Sequence, residues 1–343
     1  MNTPKNTSSR TRRQVLQAGF AWAAGSSLVS MVKANAPRSD EQPTWILLHL
    51  SGGNDGLNTV IPYRDPVYHE LRPRLGRVAR EALPIDQQVA LHPSLPDLAR
   101  LYRRGHVAIL QGVGSAEPDY SHRGACRLWA TNANDATSSP GWCDRALAGQ
   151  SNAPAAIMVV ADHEPPARMV SGRVPQIRLN RPNRPSPAVN PLPFRQGETQ
   201  QVLAEAAGLA SAKRPPRLIL ASVGGYDTHE DQLEAHAQVL RDLNDAVAGF
   251  HRELAARGIA HRVLLLVWSE FGRRPAENAS GGTDHGWAGP VFLVGRNVRG
   301  GLYGRMPSLV DTDFGNLIPT VSLHKVQTTL ARRWLGSEAN PFV

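Results

Sequence analysis

An acid and an imidazole stand side by side at Asp284-His285, inside the segment Trp268-Ser-Glu-Phe-Gly-Arg-Arg-Pro-Ala-Glu-Asn-Ala-Ser-Gly-Gly-Thr-Asp-His-Gly286. The apolar run 262–268 feeds this Gly-rich, polar loop. An α/β protein presents metal ligands in this way, at the carboxyl end of a strand. Two more acid-bearing, Gly-rich turns lie upstream: Ser51-Gly-Gly-Asn-Asp-Gly56 after Trp45–Leu50, and Gly224-Gly-Tyr-Asp-Thr-His229 after Leu218–Val223. Three strand-then-acid turns in one chain point to one site assembled from distant segments.

Each candidate also has a plainer reading. Asp284-His285 is a ligand pair or a polar turn bonded to backbone. Asp55 sits among glycines that suit a tight turn and a close approach of backbone to a ligand; the alternative is an ordinary Asx turn. Asp227 and His229 are two apart, so in an extended segment they face the same side and reach one ion. Arg273 is placed to fork two oxygens of a tetrahedral anion or to make a structural ion pair. Glu270 follows the strand directly, and Glu277-Asn278 add ligands or hold the loop. Ser121 opens a helix-like stretch, as nucleophile or as N-cap. Hard acids with imidazoles suit zinc, manganese, magnesium or calcium, as one or two ions. Cys126 and Cys143 are the only cysteines and lack CxxC spacing, which argues against a zinc-thiolate site. They permit one bridge, worth about 3 kcal/mol by chain entropy, or remain two small hydrophobes.

The elements that must position these residues alternate along the chain. Strands are predicted at Trp45–Leu50, Val107–Gln111, Ala155–Val160, Leu218–Val223, Val263–Val267 and Val291–Val294. Helices are predicted over Ser94–Gly105, from near Ser121, and over Leu233–Gly258, the first and last closed by a glycine. Helices between apolar strands imply an α/β fold, a mainly parallel sheet covered on both faces as a three-layer α/β/α sandwich. The Pro- and Arg-rich stretch 178–197 is predicted as a loop insertion in a single domain, 44–343, because the acidic turns lie on both sides of it.

The chain has 343 residues, 41% of them hydrophobic, and a formal charge of +9. Residues 1–36 hold Lys5, Arg10, Arg12, Arg13 and Lys33 with no acid, so the rest carries only +4. No basic cluster alternates with aromatics, which argues against nucleic acid as a partner. Arg12-Arg13, the modestly apolar run 18–32 and Ala34-Asn35-Ala36 make the pattern of a twin-arginine signal peptide over 1–36. The expected location is therefore periplasmic or otherwise exported, with the twin-arginine machinery as a partner and no stable membrane span after processing.

The stretches Leu50-Ser-Gly-Gly-Asn-Asp-Gly-Leu-Asn-Thr59, Ser121-His122 with Trp129, Gly224–His229, Ser269-Glu-Phe-Gly-Arg273 and Gly282-Thr-Asp-His-Gly286 resemble the exported bacterial family known as domain of unknown function 1501. That family is similar in turn to the alkaline phosphatase and sulfatase superfamily. The resemblance implies an alkaline phosphatase-like fold with Ser121 as nucleophile. It implies Asp55, Asp284 and His285 around a principal metal, and Asp227 with His229 around a second. Two features depart from the superfamily. The second pair is spaced Asp-x-His rather than Asp-x-x-x-His, and the remaining histidine of that site has only His251 and His324 as candidates by type. The Cys-x-Pro-x-Arg motif of sulfatases is absent from the sequence.

The function expected from these features is metal-dependent hydrolysis of a small anionic phosphate or sulfate ester, with Ser121 attacking and Arg273 holding the anion. The alternatives are a metal-dependent mutase, lyase or transferase, or a non-catalytic envelope protein that keeps the fold.

Overall fold

The computed structural model describes Met31, 42–131, 141–147, 156–160, 176–178 and 194–334. The expected signal segment, Met31 apart, and most of the Pro-rich insertion lie outside these residues. Among them no helix is long and apolar enough to cross a membrane.

Among the described residues the core is a nine-stranded sheet. Its strands are β1 (Thr44–Leu50), β2 (Val107–Gly114), β3 (Ala156–Val160), β4 (Gln176–Arg178), β5 (Leu218–Val223), β6 (Val263–Trp268), β7 (Gly289–Val294), β8 (Gly301–Tyr303) and β9 (Val321–Ser322). The order is β8-β2-β7-β6-β1-β5-β3-β4, with β9 on β2. All pairings are parallel except those of β7, which runs against both β2 and β6. The expected mainly parallel sheet is met. The central strands are buried along their whole length, which is why β1, β5 and β6 read as near-continuous apolar runs rather than alternating ones.

Alternate side chains of each strand enter different cores, as strand geometry dictates. Ile46, Leu48 and Leu50 join one cluster with residues of helices α1 (Pro96–Arg103), α4 (Glu198–Ala210) and α5 (Gln232–Ala256). Trp45 and Leu47 join the opposite cluster with α2 (His122–Thr131), α3 (Trp142–Leu147) and α6 (Leu323–Trp334). Three layers result.

The topology explains the site. β6, β1 and β5 are adjacent and parallel, so the turns that follow them emerge at the same sheet edge although 219 residues separate Leu50 from Ser269. The disulfide alternative is not realised: neither cysteine is bridged. Cys143 is buried in the apolar cluster with Trp45 and Trp142, whereas the Cys126 thiol faces His49.

Candidate functional site

The turn after β1 reverses through Gly52 and Gly53 at positive φ. A Cβ on Gly52 would lie 2.3 Å from the Asp227 amide nitrogen, and one on Gly53 would meet the Phe271 ring at 2.1 Å. No other residue fits there. The two amides donate to the Glu270 carboxylate at 2.9 and 3.2 Å. His49 Nε2 (3.0 Å), His122 Nδ1 (2.8 Å) and Ser269 Oγ (3.0 Å) complete its partners. Burial would raise the Glu270 pKa, but His49 and His122 overcome it and hold the carboxyl well below its usual range.

Asp227 is the hub of a second group. Its Oδ1 lies 2.5 Å from Arg273 Nη2, 3.0 Å from His229 Nε2 and 3.2 Å from His285 Nε2, and its Oδ2 lies 3.7 Å from His122 Nε2. Desolvation opposes ionisation, yet His122 and Arg273 keep this acid well below the ordinary value. His122 stands between Asp227 and Glu270. Burial disfavours its charge, but the two carboxylates win and its pKa is pushed up to about 9. The two carboxylates thus hold His122 towards its charged form, and its ring lies with Asp227 and His285 in one group of potential metal ligands.

The hydrogen bonds fix the tautomers of the other two imidazoles. His285 Nδ1 donates to the Tyr120 carbonyl at 2.8 Å, which leaves Nε2 with its lone pair. His229 Nε2 accepts from Arg273 Nη1 at 3.1 Å. Burial and the Arg273 charge push the His229 pKa down, favouring the neutral ring. The two Nε2 atoms are 3.0 Å apart. With Asp227 Oδ1 they form a triangle of lone-pair atoms. A tetrahedral ion bound at ~2.1 Å separates its ligand atoms by about 3.4 Å. Asp227 and His285, with either His122 or a His229 ring released from Arg273 as the third ligand, are the groups here that could hold one divalent cation, and the carbonyl bond to His285 Nδ1 is the kind of outer contact that orients a metal-binding histidine.

The remaining predicted residues are placed differently. Asp55 is fully buried and outside this cluster: Arg72 Nη1 lies 2.6 Å from its Oδ2, Gln232 Nε2 donates to the same oxygen, and Asn58 N donates to Oδ1 at 3.4 Å. Burial would raise its pKa; the Arg72 charge instead lowers it. His285 accordingly joins Asp227 and His229, not Asp55. Asp284 sits at the rim, 58% exposed and 4.0 Å from His229 Nδ1.

Arg273 is fully buried and donates to the carbonyls of Gly53 (2.7 Å), Thr283 (2.7 Å), Gly52 (2.5 Å) and Tyr226 (3.3 Å) besides Asp227 and His229. Its fork ties the three turns together and is not turned towards an external anion. Ser121 caps α2: its Oγ donates to Asp119 Oδ1 at 2.7 Å and accepts from Gly124 N at 3.1 Å. Ser121 is nevertheless flanked by two residues of the site, Tyr120 through its carbonyl and His122. The residues that sequence reasoning underweighted are His122 and Glu270. His122 adjoined Ser121, already singled out, and Glu270 followed an apolar strand, the position that had flagged the other acids.

Residues 187–332 match the family described as "Protein of unknown function (DUF1501)". No curated protein matches the chain by sequence. The C-terminal periplasmic domain of EcEptC from Escherichia coli, in complex with Zn, is 12% identical, with a TM-score of 0.51 over 90% of this chain and 88% of that chain. The soluble domain of lipooligosaccharide phosphoethanolamine transferase A from Neisseria meningitidis is 12% identical, with a TM-score of 0.49 over 89% of this chain and 91% of that one. A protein in the alkaline phosphatase superfamily from Vibrio parahaemolyticus is 10% identical, with a TM-score of 0.48 over 96% and 76%. At such identities the likeness to the EcEptC domain is one of fold. The stretch that carries Asp227, His229, Glu270, Arg273, Asp284 and His285 lies within the residues, 187–332, that match the DUF1501 family.

Proposed function

We propose that this chain is an exported hydrolase or transferase of phosphate or sulfate esters that works with one divalent cation. The observation that carries the reading is the triangle of His229 Nε2, His285 Nε2 and Asp227 Oδ1, with edges of 3.0, 3.0 and 3.2 Å. Three acceptors facing one another leave a place for a cation. The EcEptC domain, described as periplasmic and in complex with Zn, supports both the ion and the export. The bound ion would supply Lewis-acid stabilisation of ester oxygens.

The chain's own groups do the rest. Ser121 is the nucleophile of this reading, and its proton already points at Asp119 Oδ1. The ten-residue helix α2 adds its positive N-terminal end beside the developing anion. His122, held towards its charged form between Asp227 and Glu270, stands one residue away. Arg273 and the Gly52-Gly53 amides hold the three turns in register and do not touch the ester.

One ion is proposed for this chemistry, because Arg72 neutralises Asp55 and so takes it out of the ligand set. The substrate is a small anionic ester. Whether water or an alcohol accepts the transferred group is decided by turnover in 18O-labelled water. Label in the released phosphate or sulfate identifies a hydrolase; label-free transfer to an added alcohol identifies a transferase. Chelator-free protein should hold about one equivalent of metal by elemental analysis and lose it, while folded, in Asp227→Asn and His285→Ala. A folded wild type that takes up no zinc, manganese, magnesium or calcium sinks the mechanism and leaves a non-catalytic partner protein with this fold.

A further inference from the structure

A second convergence of donor atoms lies beside this cluster and takes no part in it. His49, inside β1, is buried, with its ring stacked on Trp268 at 4.3 Å between centroids. Its Nδ1 is 2.9 Å from Ser222 Oγ and its Nε2 is 3.0 Å from Glu270 Oε2. Cys126 lies one turn along α2 from His122, so the two share a helix face. Its sulfur lies 3.9 Å from His49 Nε2. One ligand atom from each of His49, Cys126 and Glu270 falls within 4.8 Å of the others.

We infer that His49, Cys126 and Glu270 form a thiolate-containing site for a borderline or soft divalent cation such as zinc, distinct from the Asp227 site. Sequence spacing hides it: 77 residues separate Cys126 from His49 and 221 separate His49 from Glu270. The absence of CxxC therefore excludes only a local thiolate motif.

Geometry supports the assignment. Tetrahedral zinc, with Zn–S of about 2.3 Å and Zn–N of about 2.1 Å, spaces sulfur from nitrogen by about 3.6 Å and nitrogen from oxygen by about 3.4 Å. The observed 3.9 and 3.0 Å fall on either side, a few tenths of an ångström from those values. The outer contacts are also in place. Ser222 and Trp268 hold the imidazole, while Gly52, Gly53 and Ser269 hold the carboxylate.

Loading balances as an exchange of one proton. Without the ion, His49 Nε2–H donates to Glu270 and Cys126 keeps its S–H. On binding, the imidazole proton moves to Nδ1 and is donated to Ser222 Oγ, the thiol proton leaves to solvent, and the ion takes Nε2, Sγ and a carboxylate oxygen. Burial and the Glu270 charge both disfavour a free thiolate, so occupancy should rise with pH. A thiolate also selects differently from the nitrogen and oxygen donors of the Asp227 site. The inference stands whether or not that site works as proposed.

Cobalt(II) alone is the probe, added to the reduced full chain. A thiolate ligand gives cobalt a near-ultraviolet sulfur-to-metal charge-transfer band that nitrogen and oxygen ligands do not. The expected result is such a band in the wild type, kept in Cys143→Ser and His285→Ala and lost in Cys126→Ser. Cobalt binding without the band, a band that survives Cys126→Ser, or no cobalt uptake overturns the site. Should Cys126→Ser fail to fold, cobalt-edge X-ray absorption of the wild type decides: a sulfur scatterer at about 2.3 Å supports the site, and nitrogen and oxygen scatterers alone overturn it. His285→Ala separates the two readings, since it removes the neighbouring site and leaves the sulfur band.

Discussion

Arg72 places Nη1 2.6 Å from Asp55 Oδ2, and neither side chain reaches solvent. The rest of the guanidinium is equally engaged: Nε donates to the Pro275 carbonyl at 2.7 Å, Nη2 to the Arg274 carbonyl at 2.9 Å, and Nη1 also to Asn58 Oδ1 at 2.6 Å. A guanidinium thus stands against the acid that family resemblance assigned to a metal. Asp55→Asn leaves Arg72 buried without its counter-charge, at a cost of about 3–5 kcal/mol. Urea unfolding should show that loss, while elemental analysis of the folded fraction should show metal content at the wild-type level. Loss of the metal with stability unchanged would return Asp55 to the ligand set.

Arg273 is a clamp and should behave as one. Lysine keeps the charge but cannot span the carbonyls of Gly52, Gly53 and Thr283 together. Arg273→Lys should therefore lower stability by about 2–4 kcal/mol through unsatisfied buried carbonyls. Its kinetic effect should follow that loss of order, as a fall in kcat with KM little changed. A raised KM in a protein of undiminished stability would mean that Arg273 holds the substrate.

These two arginines mark where sequence reading stopped. β1, β5 and β6 were legible because strands buried on both faces leave unbroken apolar runs, and their parallel adjacency makes the following turns meet. The meeting of Asp227, His229 and His285 at one sheet edge followed from that logic. Their grouping did not. Adjacency in sequence ties His285 to Asp284, but the carbonyl of Tyr120 turns the imidazole inwards while the Asp284 carboxylate faces the rim. The role of Asp55 was equally closed to sequence, because Arg72 lies on a connecting segment with no pattern of its own. His49 was hidden inside an apolar strand, where one imidazole leaves the hydrophobic run intact.

Ser121 separates structural from chemical roles cleanly. As a cap it satisfies Gly124 N, so Ser121→Ala should cost about 1 kcal/mol. As the nucleophile it should also cost at least about a hundredfold in ester turnover, well beyond what so small a loss of stability explains. Ser121→Thr keeps the oxygen for both roles and should recover the stability and part of the turnover. Full turnover in a folded Ser121→Ala would remove the serine from the mechanism.

His236 sets an acid limit on stability. Its Nε2 bonds to Asn54 Oδ1 at 3.0 Å, while Nδ1 is buried with no hydrogen-bond partner. A second ring proton would therefore place a charge where nothing accepts it. Burial, with the nearby Arg72 and Arg273 charges, outweighs Asp55 and pushes the pKa down to about 4. The unfolded ring, near 6.5, takes its proton first as pH falls. Stability from this group is complete above about pH 6.5, declines by about 1.4 kcal/mol per unit below it, and reaches a loss of about 3 kcal/mol near pH 4. His92, pushed to about 3 by burial and by His236, adds a decline in the same direction. Unfolding free energies at several pH values between 4 and 7 should show this slope in the wild type and a visibly shallower one in His236→Gln, whose side chain does not titrate. Equal slopes would mean that the ring is solvated or already charged in the native state.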